Sequence, residues 1–149
     1  MAERIEGLAE CERVLFELSR ATAKGTVRRV LKKAAEPMRA LAASLAPDDP
    51  ATPPLDLHTS IAISHRQKGG RQRSFTREAR DEVAIYIGPT RKGYPQAIMM
   101  EFGTFKDRAQ PYMRPAWERE QGPSLVRIAN LLGEELHKTV MRIRRRQGG

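Results

Sequence analysis

The sequence predicts an α+β fold in which N-terminal helices and a long C-terminal helix pack on a small antiparallel β-sheet. Apolar residues recur at helical spacing in the first 45 residues and again from residue 124. Between these regions, two short segments alternate apolar and other residues in the manner of strands. A chain of 149 residues suffices for one domain with one modest core, so we expect a single domain over residues 1–149.

Two helices are predicted at the N-terminus, because apolar residues at three- and four-residue steps run from Ile5 to Leu18 and from Val27 to Leu45. Gly25 predicts the break between them, with Thr26 as a candidate cap for the second helix. Pro37 is expected to bend that helix, since it lacks an amide hydrogen. Four prolines between residues 46 and 54 then predict a connector, and we expect residues 46–55 to be flexible.

A β-hairpin with a long loop is predicted next. A strand pattern begins with Leu57, Ile61 and Ile63 and ends near His65, and the clearest strand runs from Val83 to Gly88. The loop between them, residues 66–80, is expected to be flexible and is strongly basic. Its cations are candidates for contact with a partner subunit or with DNA: Arg66, Lys68, Arg71, Arg73 and Arg77.

The last third of the chain is predicted to be helical. A short helix over Tyr94–Phe102 would end at Gly103 and place Ile98 and Phe102 on one face. Gly122-Pro123 is expected to break or kink the following stretch, after which an amphipathic stripe runs from Leu125 to Ile143. The chain closes with an arginine cluster, and residues 144–149 are expected to be flexible.

Composition argues against several classes of function. The net charge is +9, which favours polyanions or acidic protein surfaces as partners. No apolar run approaches the roughly 20 residues of a membrane span, so we expect a soluble, cytosolic product without a membrane partner. Cys11 is the lone cysteine, and the three histidines are scattered. We therefore expect no catalytic residues, no cofactor and no metal site, and we interpret the chain as not being an enzyme.

The most informative motif joins Glu101-Phe102-Gly103-Thr104 to the segment Gln110-Pro111-Tyr112-Met113-Arg114-Pro115-Ala116. Its turn formers and aromatic residues suit a rigid turn that positions a helix and presents a protein-binding surface. We expect Phe102 and Tyr112 to anchor the turn in the core, and Gly103 to supply a backbone angle that other residues disfavour. Arg114 would pair in bidentate fashion with a carboxylate, for which Glu101 is the nearest candidate. Trp117 is expected to be either a core residue or an interface anchor. The alternative for the other motif residues is that they serve only to fold the domain.

This motif resembles the signature of the neck or tail-completion proteins of long-tailed bacteriophages, in which an E-F-G-T turn precedes a P-F-x-R-P-A entry into the C-terminal helix. The resemblance covers roughly residues 27–120, with Tyr112 where phenylalanine is usual. Residues 31–47, which include the segments 32–37 and 45–47, resemble the family's long basic helix, which ends in a proline. The family's Thr-Gly turn before the first strand is absent here, where Pro50–Pro54 takes its place.

The resemblance implies a structural virion protein that forms a ring at the head–tail junction or at the top of the tail tube. Implied partners are identical subunits, most plausibly in a hexamer, together with head-completion or connector proteins and a tail terminator or tail-tube protein. The basic loop or the C-terminal tail would then either contact a neighbouring subunit or contact DNA in the lumen, and we favour the subunit contact because basic charge in the lumen would retard DNA transit. The resemblance also implies assembly in the cytoplasm of a bacterial host. The alternative from the charge pattern is a small basic nucleic-acid-binding protein.

Overall fold

A computed structural model of the chain describes residues 8–47, 57–65 and 82–148. Their fold is α+β, mostly helical with one small antiparallel sheet, as the sequence predicts. The elements follow in the order α1 (Leu8–Glu17), α2 (Arg20–Leu45), α3 (Leu57–Ser60), β1 (Ile61–Ser64), β2 (Tyr86–Pro89), α4 (Tyr94–Phe102) and α5 (Met113–Gln147). No helix in these three segments is long and apolar enough to cross a membrane.

The second helix begins earlier than its apolar pattern indicates. Ser19 caps it, and the serine hydroxyl accepts a hydrogen bond from the Thr22 amide at 3.4 Å. Gly25 and Thr26 therefore lie inside α2, and the prediction that they separate and cap two helices is wrong. Thr26 is fully buried. The helix also continues through Pro37.

The hairpin is confirmed, but both strands are shorter than predicted and start later. Residues 57–60, predicted as part of the first strand, form the single helical turn α3, and β1 starts at Ile61. The second strand begins at Tyr86 rather than Val83. The strands pair antiparallel, with Ile61 opposite Pro89 and Ser64 opposite Tyr86. The basic loop, residues 66–80, lies outside the described residues, as does most of the 46–55 connector.

The last helix is longer than predicted. It begins at Met113, with Pro115 in the first turn where a missing amide hydrogen costs little, and it runs to Gln147. The expected break at Gly122-Pro123 is wrong, because both residues lie within the helix. Of the segment 144–149, predicted as flexible, residues 144–147 are helical. At 1.5 Å per residue, the 35 residues of α5 extend about 50 Å.

Helices α2 and α5 pack side by side and run antiparallel, with one core cluster near each end of the pair. One cluster contains Ala42 of α2, the C-cap residue Ala46, Tyr112 and Ala116, together with Leu57, Ile61 and Ala97. The other unites Val30 of α2 with Leu132 and Leu136 of α5, and α1 packs against it. Between the clusters, Arg127 Nη1 donates to the Ala34 carbonyl at 3.1 Å. The molecule therefore has a sheet end and a helical end.

Candidate functional site

Helix α4 lies with its apolar face outward. Ala97 and Glu101, four residues apart, are 2% and 6% exposed and form its buried face. Ile98, Met99 and Phe102 are 43%, 45% and 69% exposed. Leaving a large apolar side chain in water forgoes roughly 1.5–3 kcal/mol of burial energy per residue. Ala97 and the half-buried Met100 pack against the core, whereas these three larger side chains lie on the exposed side of α4.

The carboxylate of Glu101 caps the N-terminus of α5. Its Oε2 accepts hydrogen bonds from the backbone amides of Tyr112 at 2.9 Å and Met113 at 3.0 Å. Its Oε1 accepts from the Arg114 amide at 3.1 Å. The residue at the N-cap position, Tyr112, has no side-chain capping bond of its own. A carboxylate from another helix therefore satisfies three amides that an α-helix cannot satisfy internally, at the end where its dipole favours negative charge.

Arg114, in the first turn of α5, also links that turn to the last turn of α4. Its Nε donates to Glu101 Oε1 at 3.0 Å, and one terminal nitrogen donates to the Glu101 backbone carbonyl at 2.8 Å. The predicted partner is correct, whereas the predicted bidentate pair with the carboxylate is wrong, because the second bond goes to the main chain. The result is a reciprocal clamp between the last turn of α4 and the first turn of α5.

The clamp sets the ionisation of Glu101. Burial alone would raise the pKa of this carboxyl group, but the hydrogen bonds from the Tyr112 and Met113 amides and from Arg114 lower it further than burial raises it. The pKa of Glu101 in the folded protein therefore lies below its ordinary value. Tyr112 shows the opposite effect, since burial and the negative charge of Glu101 raise its pKa to about 12.

Acid is expected to remove the contribution of Glu101 to stability. Because the folded pKa is below the unfolded one, the stabilisation is complete above the unfolded value and is lost as pH falls through the folded value. Urea unfolding of wild type and Glu101→Gln should therefore show a large difference in unfolding free energy at neutral pH, which shrinks as the pH is lowered below the ordinary value of 4.5. A difference that stays constant or widens in acid would contradict this assignment.

The turn after α4 is held by its own hydrogen bonds. Gly103 has φ +77° and ψ 173°, a backbone conformation that residues with a side chain disfavour, as predicted, and its amide ends α4 by donating to the Met99 carbonyl. The Thr104 hydroxyl accepts from the amides of Lys106 and Asp107 at 3.2 and 3.0 Å. The Gln110 amide then donates to the Met100 carbonyl at 2.7 Å. Exposed Pro111 follows and leads into α5.

The two predicted aromatic anchors differ. Tyr112 is 1% exposed and belongs to the core, as predicted. Phe102 is not a core anchor, because its ring is largely in solvent with the Arg114 guanidinium carbon 5.3 Å from the ring centroid. Trp117, for which the sequence left two alternatives, is 57% exposed and so is not a core residue.

The clamp carries an exposed apolar surface, which we call the aromatic patch. Arg114 stacks on Phe102, and Trp117 lies one turn beyond Arg114 on α5. Phe105 is fully exposed at the tip of the turn that the clamp holds. The aromatic patch consists of Ile98, Met99, Phe102, Phe105 and Trp117. The sequence analysis did not identify three of these as surface candidates. Ile98 and Met99 look like core residues in the sequence. Phe105 lies among polar residues, and these neighbours could have indicated that its side chain is exposed.

The other predicted site residues belong to the basic loop and lie outside the described residues: Arg66, Lys68, Arg71, Arg73 and Arg77. Within the described ones, no three His, Cys, Asp or Glu side chains are placed to hold a metal ion. Comparisons of the chain with protein-family models, with curated proteins and with solved structures find no match.

Proposed function

We propose that the protein is a structural virion component that forms a ring at the head–tail junction or at the top of the tail tube of a long-tailed phage or prophage-derived particle. In this proposal it is needed for tail completion and head–tail joining. The role is non-enzymatic and uses no cofactor. The proposal rests on the sequence motif and on one structural observation, the outward apolar face of α4.

That observation favours a protein-binding surface over a structural role alone. The buried carboxylate of α4, Glu101, holds the N-terminus of α5, while three large apolar side chains of α4 are exposed: Ile98, Met99 and Phe102. Aromatic and methionine side chains beside an arginine are the residues enriched at protein interfaces. The reciprocal clamp holds this surface in one conformation before a partner arrives, which reduces the entropy lost on binding.

The kind of partner follows from the same features. In a ring of identical subunits each contact joins two different surfaces, so the aromatic patch would meet a different face of the neighbouring copy. We propose a hexamer in the virion, assembled in the cytoplasm of the bacterial host. Head-completion or connector proteins, and a tail terminator or tail-tube protein, would contact the two rims of the ring.

Electron microscopy of particles produced without this gene tests the proposal. Separate DNA-filled heads and tails, or tails of abnormal length, are expected in the deletion, and complementation with the wild-type gene should restore joined particles. Complementation with Phe105→Ser/Trp117→Ser should fail, although the unfolding free energy of this variant stays near that of wild type because both side chains are exposed. Normal infectious particles from the deletion would overturn the proposal.

A further inference from the structure

Basic charge is concentrated at the helical end of the molecule. There, α2 carries Arg29 and Lys33, and the last turns of α5 carry Lys138, Arg142 and Arg145, all exposed. Two acidic residues of α5, Glu134 and Glu135, lie among them, and Glu135 is 3.4 Å from Lys138. Of the residues that the structure describes, neither Lys33 nor Arg142 takes part in an ion pair.

These five cations lie on one side of the α2–α5 pair. Residues 138, 142 and 145 of α5 share a helix face, and so do residues 29 and 33 of α2. The groove between α1 and α5 is lined by Gly133, His137 and Val140, and the groove between α1 and α2 by Lys24 and Val27. At 3.6 residues per turn, the cations lie roughly half a helical turn away from these lining residues, so they face away from α1.

The cations form a line rather than a pocket. The Arg127–Ala34 hydrogen bond aligns the two antiparallel helices, and it places Lys33 level with residue 128 of α5 and Arg29 level with residue 132. From residue 128 to Arg145 the rise of α5 amounts to about 25 Å. We call this line the basic stripe: Lys33, Arg29, Lys138, Arg142 and Arg145. An isolated phosphate would engage only one part of it, whereas a long polyanion would engage all of it.

We propose that the basic stripe binds the phosphate backbone of duplex DNA without sequence preference. A duplex carries one negative charge per roughly 1.7 Å of its axis, so a stripe of this length faces many phosphates at once. Neither α2 nor the part of α5 beyond Trp117 contains Phe, Tyr or Trp, so the stripe lacks the stacking platforms that single strands require. Among exposed large apolar residues of the described chain only Met141 adjoins it, which disfavours insertion into a lipid surface.

This inference is independent of the assembly role and of residues 66–80, so each can fail alone. The probe is a fluorescently labelled duplex of about 30 base pairs and mixed sequence, titrated with the full-length protein at several salt concentrations. The stripe variant is R29Q/K33Q/K138Q/R142Q. Its matched control, R91Q/K92Q/K106Q/R108Q, removes the same number of exposed positive charges at the sheet end. Circular dichroism melting establishes that each variant folds.

The stripe variant should bind at least about ten-fold more weakly than wild type, and its slope of log affinity against log salt should be shallower by about three to four. The control should bind like wild type. Should the stripe variant not fold, R29Q/K33Q and K138Q/R142Q are measured separately, and each should account for about half of the change in slope.

Four results would overturn the inference: no duplex binding by wild type, equal weakening in both variants, wild-type binding by the stripe variant, or equal or tighter binding of single-stranded DNA. Stripe-dependent binding to phosphatidylserine vesicles in the absence of duplex binding would also overturn it, in favour of a membrane surface.

Discussion

Replacing Gly103 with alanine is expected to lower the free energy of unfolding by about 3 kcal/mol. The backbone there has φ +77° and ψ 173°, which is strained for any residue with a side chain. An added Cβ would lie 2.8 Å from the Ala109 amide nitrogen and 3.1 Å from the Asp107 carbonyl oxygen. Both are main-chain atoms of the same turn, so relief requires the turn itself to move.

Gly133→Ala is the matched control for this substitution. Gly133 lies in the middle of α5, and apart from the adjacent helix backbone a Cβ there would meet no described atom within 4 Å. Alanine should therefore raise stability by about 0.5–1 kcal/mol, because glycine is a poor helix former. Chemical denaturation of both variants measures the contrast. If Gly103→Ala were within 1 kcal/mol of wild type, the turn would not depend on the glycine conformation.

Replacing Glu101 with glutamine is expected to cost about 2–3 kcal/mol at neutral pH. Every group that contacts the carboxylate is a donor: three backbone amides and the Nε of Arg114. The glutamine amide has one acceptor oxygen and one donor nitrogen, so one half of the clamp would face donor against donor. The substitution keeps the size of the side chain, and the loss therefore reports hydrogen bonding rather than packing.

Glu36→Gln provides the comparison for Glu101→Gln. Glu36 pairs with Arg39 on the outer face of α2, where its side chain is 55% exposed, and such surface pairs contribute at most about 1 kcal/mol. In urea unfolding at neutral pH, Glu101→Gln should therefore lose more unfolding free energy than Glu36→Gln. Equal losses from the two substitutions would mean that Glu101 does not cap α5 in solution.

The bounds of α4 and the roles within the clamp could largely be predicted from the sequence. Pro95 near the start and Gly103 at the end delimit α4, and Glu101 and Arg114 belong to one motif. The start of α2 could not be predicted from the sequence. Gly25 and Thr26 together look like a helix break and a cap, whereas the actual cap, Ser19, directly follows the apolar pattern of the first helix. The two possible helix starts have local sequence signals of similar strength, so tertiary packing determines which of them forms.

The outward face of α4 was beyond sequence reasoning for a different reason. Spacing places Ile98 and Phe102 together on one face, but it does not indicate which face is buried. The structure buries Ala97 and Glu101 instead, because the carboxylate must reach the first amides of α5. A charged residue that serves as a cap for another helix thus turns the apolar face towards solvent. Phe102 is exposed because Glu101, its neighbour in the sequence, takes the buried position on α4.

A photo-crosslinking amino acid at Phe105 tests the central claim, that the aromatic patch is an assembly surface, most directly. Benzoylphenylalanine is an aromatic replacement for this fully exposed side chain, and the same substitution at Phe16, 89% exposed on α1, is the control. Irradiated particles should yield a crosslink from residue 105 to a neighbouring copy or to a junction protein, identified by mass spectrometry. No crosslink from residue 105, or equal crosslinking of unrelated proteins from both positions, would contradict the account.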